Sequence, residues 1–89
     1  MRVIFSHHAL LRMKERKISK QDVYKTLLQP LAVEKDKNSN NRFVAKRIYH
    51  STITTTNQLL LVFYEVDGEE VEILLVITVV STSKIDKYL

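Results

Sequence analysis

The chain has 89 residues, 45% of them apolar and 27% charged, with one glycine, one proline and no cysteine. That length gives one domain, residues 1–89, with a modest core; the apolar content excludes global disorder, and the lack of cysteine excludes disulfide frameworks and thiolate metal sites. The net charge of +4 is unevenly spread: residues 1–47 hold twelve Lys/Arg against four acids, and residues 48–89 hold two against six. The basic half is a candidate footprint for a polyanion, although it equally serves to complement its own acidic half. The longest apolar runs, Leu59–Tyr64 and Ile73–Val80, are strand-sized, so no membrane span is expected. Residues 1–5 are too short for a signal peptide and lead straight into a polar helix, so a soluble cytoplasmic protein is expected.

Arg2–Phe5 is a β-branched and aromatic run that predicts a first strand. Ser6 then reads as the N-cap of a helix over residues 7–17. On that helix Ala9, Leu10 and Met13 share the apolar face. His8, Arg12 and Arg16, at i, i+4 and i+8, form a second stripe about 80° wide beside it. Ser19 with Asp22 has capping-box spacing, and Ile18 before the cap is placed to staple onto Val23. A second helix therefore runs to about Gln29, with Val23, Tyr24, Leu27 and Leu28 on its apolar side, and Pro30 ends it. So short a link makes the two helices a hairpin.

Leu31–Lys35 is a weak strand candidate, and Asp36–Asn41 is a turn by composition. Arg42–Tyr49 is the next strand, with Phe43, Ala45, Arg47 and Tyr49 facing one way and Arg42, Val44, Lys46, Ile48 and His50 the other. Residues 51–57 read as the strand's end plus a connection. Gln58–Val66 and Glu70–Val80 are the strongest strands. Asp67-Gly68 between them predicts a type I′ hairpin turn, which needs positive φ at both positions. Ile73–Ile77 scarcely alternates, so a central strand covered on both faces is expected there. Ile85, Tyr88 and Leu89 suggest a tail that docks. The order β-α-α-β-β-β-β gives an α+β fold, two helices packed on a twisted antiparallel sheet of about four strands.

Three sets of residues can carry chemistry: His8, Arg12 and Arg16 on the first helix; Arg42, Lys46, Arg47, Tyr49 and His50 on the middle strand; Thr82, Ser83, Lys84 and Tyr88 after the last strand. Where such sets meet at one end of a sheet, they suit RNA cleavage without metal. The 2′-hydroxyl loses a proton as it attacks its own phosphate, and the 5′-oxygen gains one as it leaves. Histidine or tyrosine moves the protons, and arginine and lysine hold the non-bridging oxygens. No Ser or Cys nucleophile is needed, because the nucleophile belongs to the substrate. The plainer readings are a solvated helix shoulder for the arginines and core or rim packing for the tyrosines. The His7-His8 pair points in two directions and has no acidic ligand beside it, so neither metal nor cofactor is expected.

Ser6-x-His8-Ala9-x-x-Arg12-Met13-x-x-Arg16-x-Ile18-Ser19-x-x-x-Val23, then Pro30, resembles the N-terminal signature of the domain-of-unknown-function 4258 family. The likeness continues through Arg42–Tyr49, Leu61–Glu65 and Val76–Val79 and spans nearly the whole chain. That family is similar in turn to the RelE-like toxins of toxin–antitoxin pairs. The resemblance implies two helices on a curved antiparallel sheet, a cytoplasmic ribonuclease or a protein derived from one, and an antitoxin protein as partner. It points first to His8 and Arg12.

The sequence thus predicts a small metal-independent endoribonuclease of the RelE-like class, acting on RNA or on ribosome-bound messenger RNA. His8, Arg12, Arg47 and Tyr49 are its candidate catalytic residues, and Arg16, Lys46, Lys84 and Tyr88 its candidate substrate contacts. The alternatives are a non-catalytic RNA- or DNA-binding module using the same basic face, and an interaction protein whose exposed edge strand pairs with a partner. Oligomeric state is left open.

Overall fold

A computed structural model describes residues 2–68 and 72–89. Strand β1 (Arg2–Phe5) leads into helices α1 (His7–Arg16) and α2 (Lys20–Leu28). Strands β2 (Ala32–Lys35), β3 (Arg42–His50), β4 (Asn57–Asp67) and β5 (Ile73–Thr82) follow, and a helical turn α3 (Ile85–Tyr88) comes last. The sheet order is β1-β5-β4-β3-β2. The expected antiparallel sheet of about four strands is therefore corrected to five strands and a mixed sheet. The first strand does not stay beside the next one in sequence. It pairs with β5, parallel to it, and the helical hairpin carries the chain across one face to β2 at the opposite edge.

The local signals at the helix ends are realised. The Ser6 hydroxyl accepts from the Ala9 N–H at 3.0 Å and donates to the Ile77 carbonyl at 2.7 Å. Ile77 is the extra residue of a bulge in β5, where the pairing with β4 shifts between Phe63 and Tyr64. A bulge disrupts the ladder, so this one hydroxyl both caps a helix and serves a bulge carbonyl. At the other end Lys17 is left-handed, with φ 52°. Its N–H bonds to the Lys14 carbonyl and that of Ile18 to Met13, a Schellman arrangement with Ile18 and Met13 both buried. Ser19 and Asp22 close the expected capping box.

Ala9, Met13, Ile18 and Val23 from the helical hairpin pack with Leu60, Val62, Val76 and Val79 of the sheet. Leu10 and Leu28, assigned to the apolar faces by spacing, are 42% and 64% exposed. Thr26 is fully buried instead, its hydroxyl donating to the Asp22 carbonyl one turn back. A hydroxyl that satisfies itself on its own helix enters the core at little cost.

One expectation for the last strands is corrected. Asp67 is still in β4, paired with Ile73, and of Asp67 and Gly68 only the glycine has positive φ, so no two-residue I′ turn forms there. The start expected at Glu70 lies outside the described residues, and β5 begins at Ile73. β5 is an inner strand between β1 and β4, and in the run Ile73–Ile77 Leu74 and Val76 are buried and Ile73, Leu75 and Ile77 half-buried, while Val80 beyond the run is 43% exposed. In β4, Gln58–Val62 are buried on both sides, because the helices cover one face and α3 packs on the other.

Candidate functional site

Pleating decides which of the basic residues on β3 face the helices. Ala45, Arg47 and Tyr49 point to the helical face, and Lys46 points to the other, as the alternation predicts. Tyr49 leans on the core and donates its hydroxyl proton to the Ser81 hydroxyl at 2.7 Å. Ser81 donates in turn to the Gln58 side-chain oxygen, and the Gln58 amide donates to the Thr54 hydroxyl at 3.1 Å. These bonds run in one direction, from β3 through β5 and β4 to the connecting turn at residues 51–56. Thr55 in that turn has φ 57°, an unfavourable region for a β-branched residue.

The Tyr49–Ser81 bond separates two basic clefts. On one side Arg12 and Arg16 of α1 stand over Val79, Val80 and Ser81 around a narrow cleft of about 50 Å³. On the other, Lys25, Arg47, Tyr49 and His50 line a groove of about 280 Å³ between α2 and β3. Asp22 is the acid of that groove, and it is held in the capping box. Arg47 donates to the Gln29 carbonyl at 2.6 Å, which fixes the guanidinium at the end of α2. His50 approaches Asn57 at 3.4 Å across the strand pair. Arg12 meets Glu15 at 3.8 Å, an exposed pair that leaves the guanidinium available to solvent.

The three sets are thus divided. Arg12, Arg16, Arg47 and Tyr49 gather at the end of the sheet formed by the last residues of β3 and β5. His8 is exposed at the start of α1, about 12 Å along the helix axis from Arg16 by helical rise, and no hydrogen bond or ion pair engages it among the described residues. Lys46 is on the far face and only 6% exposed, bonded to Glu34 at 2.8 Å and to the Tyr88 carbonyl at 2.6 Å. These bonds tie α3 to the sheet on the face opposite Arg47, the face that alternation along β3 predicts for Lys46. Lys84 is exposed and opens α3, its backbone N–H on the Thr82 hydroxyl.

Ser81 and Gln58 are site residues that sequence reasoning missed. Their signal was present: each is a polar residue at the end of an apolar strand. Its meaning depends on the register that sets Tyr49 opposite Gln58 and Leu60 opposite Ser81. A larger groove of about 370 Å³ lies at the bulge end, lined by Phe43, Phe63, Tyr64 and Ile77 among others. Its rim arginine, Arg42, is spent on Glu65 at 2.6 Å. Burial, aided by the charge of Glu72, raises the Tyr64 phenol above its ordinary value and keeps it neutral. That groove has little to offer an anion. Among the described residues no three His, Asp or Glu side chains group so as to hold a metal ion, and no helix is long and apolar enough to cross a membrane.

The family described as Domain of unknown function (DUF4258) matches residues 5–81, and the chain belongs to it. No curated protein and no solved structure matches the chain.

Proposed function

We propose that this member of the DUF4258 family acts on RNA as a small metal-independent endoribonuclease of the RelE-like class. The observation that supports this is the pair of basic clefts, Arg12 with Arg16 and Lys25 with Arg47, that border Ser81 and Tyr49 at one end of the sheet. Four cations around one half-buried hydroxyl pair suit the anionic oxygens of a phosphodiester, and arginine binds such oxygens in a fixed fork. His8, one helical turn before Arg12, is the acid–base group. It takes the 2′-hydroxyl proton; the 2′-oxygen then bonds to phosphorus, the bond to the 5′-oxygen breaks, and that oxygen takes a proton from water, to which the His8 imidazolium later returns its own. On this reading the protein is cytoplasmic, its substrate is free or ribosome-bound messenger RNA, and its partner is an antitoxin protein. A non-catalytic RNA-binding module is the second reading, favoured by the lack of a described group that orients the His8 ring.

The test is cleavage of end-labelled RNA in EDTA, alone and on translating ribosomes, by the wild type, His8→Ala and Arg12→Ala. The expected result is wild-type cleavage that falls about 10²–10⁴-fold in His8→Ala while RNA affinity is kept. Salt-sensitive binding without cleavage on either substrate selects the binding module. No salt-sensitive binding at all overturns both readings.

A further inference from the structure

We infer that the backbone of single-stranded RNA straddles the Tyr49–Ser81 bridge, with one phosphate in the Arg12/Arg16 cleft and another phosphate of the same strand in the Lys25/Arg47 groove. The inference rests on the RNA reading above and adds the geometry of the ligand to it. One cleft borders β3 and the other β5, with β4 between them, so they lie about 10 Å apart or more, two strand spacings, and the Tyr49–Ser81 bond spans that gap. Ser81 lines one, Tyr49 lines the other, and their oxygens are 2.7 Å apart. Each cleft carries two cations, and the only carboxylate lining either is Asp22, which accepts from the Ser19 backbone N–H.

The arginine cleft, at about 50 Å³, is small and suits phosphate oxygens better than a base. A ligand with two separated phosphates reaches both clefts, whereas a single compact anion occupies one of them. A duplex presents its phosphates on a stiff surface, whereas a single strand bends over a ridge and lets its bases splay outward. The ridge itself is held still. Ser81 is fixed by Gln58, and Gln58 by Thr54 of the turn at residues 51–56, so the Tyr49 ring keeps its place between the clefts. Gln58 is a positioning residue on this view, acting through Ser81.

The measurement is fluorescence anisotropy of a labelled oligouridylate titrated over a salt series. The proteins are the wild type, Arg12→Gln with Arg16→Gln, Lys25→Gln with Arg47→Gln, Lys25→Gln alone, and Lys37→Gln. Lys37 lies in the turn at the opposite end of β3 and serves as the control. Thermal melts followed by circular dichroism show that each variant is folded, and Lys25→Gln alone covers the case in which loss of the Arg47–Gln29 bond weakens the fold. Each lost phosphate contact lowers the slope of log affinity against log salt by about 0.7 for a single strand. The expected result is that both pairs lower the slope by about that amount, that Lys25→Gln weakens binding, and that Lys37→Gln does neither. If the wild type binds but one pair leaves slope and affinity unchanged, the strand uses one cleft, and the straddle is overturned while the RNA reading stands. If Lys37→Gln lowers the slope equally, binding is spread over the basic half and the straddle is again overturned. If the wild type does not bind, both fail together.

Discussion

Lys46 and Arg47 are neighbours in sequence and belong to opposite faces of the sheet. Arg47 faces the helices, half-exposed, in a groove with Lys25, Tyr49 and His50. Lys46 faces away, 6% exposed, donating one ammonium proton to Glu34 and another to the Tyr88 carbonyl. On the helical face the cations stand at the rim of a core and remain open to an anion. On the far face a cation is built into the fold, where it holds a short C-terminal turn over β4. The difference teaches that a basic strand is not a basic surface: pleating sends alternate charges to different fates.

The largest expected break in this comparison is in the packing beneath the two faces. Leu60 is fully buried under the helices and Leu61 is 7% exposed under the C-terminal turn. Leu60→Ala is expected to cost about 3–5 kcal/mol and Leu61→Ala about 2–3 kcal/mol, because the far side collapses more easily onto a four-residue turn. Urea unfolding of both variants checks the order; equal losses would mean that the two faces are packed alike.

A double dissociation sharpens it. Lys46→Ala removes the donor to the Tyr88 carbonyl and is expected to destabilise by about 1–3 kcal/mol while leaving the salt slope of RNA binding unchanged. Arg47→Ala loses a half-exposed bond to Gln29, expected to cost no more than about 1.5 kcal/mol, and lowers the slope. Urea melts beside anisotropy titrations give both quantities. A changed slope in Lys46→Ala would return that lysine to the binding surface.

The smallest effect is confined to alkaline pH. The native Tyr64 phenol holds its proton more tightly than in the unfolded chain, through burial first and the charge of Glu72 second. A raised folded-state value means that its contribution is fully present below about pH 10, the ordinary tyrosine value, and is lost as pH rises above it. Ultraviolet titration of tyrosinate is expected to show a late-ionising component that disappears in Tyr64→Phe. A late part of the curve left unchanged by that substitution would contradict the burial assigned to it.

The elements with local causes were legible from the chain alone. Ser6 and Ser19 announced their helices because a capping hydroxyl bonds N–H groups two or three residues away, and Pro30 closed the second helix by its own ring. The faces of β3 followed from alternation. Asp67-Gly68 misled, because a turn preference cannot fix where pairing stops; β4 continues through Asp67 to meet Ile73. The burial of Thr26 and the exposure of Leu28 were hidden because helical spacing names a face and not what covers it.

By itself the sequence determined an α+β chain, a helical hairpin, the order of its strands, a basic first half and membership of its family. Those properties reside in neighbouring residues, whose hydrogen bonds, periodicity and charge need no distant partner. Only the tertiary structure decided that β1 lies parallel to β5, that α3 is fastened by Lys46, and that Tyr49 meets Ser81 between two basic clefts. Each of those contacts joins residues more than thirty positions apart. It depends on which strands become neighbours and in what register, and that is set by burying one shared core.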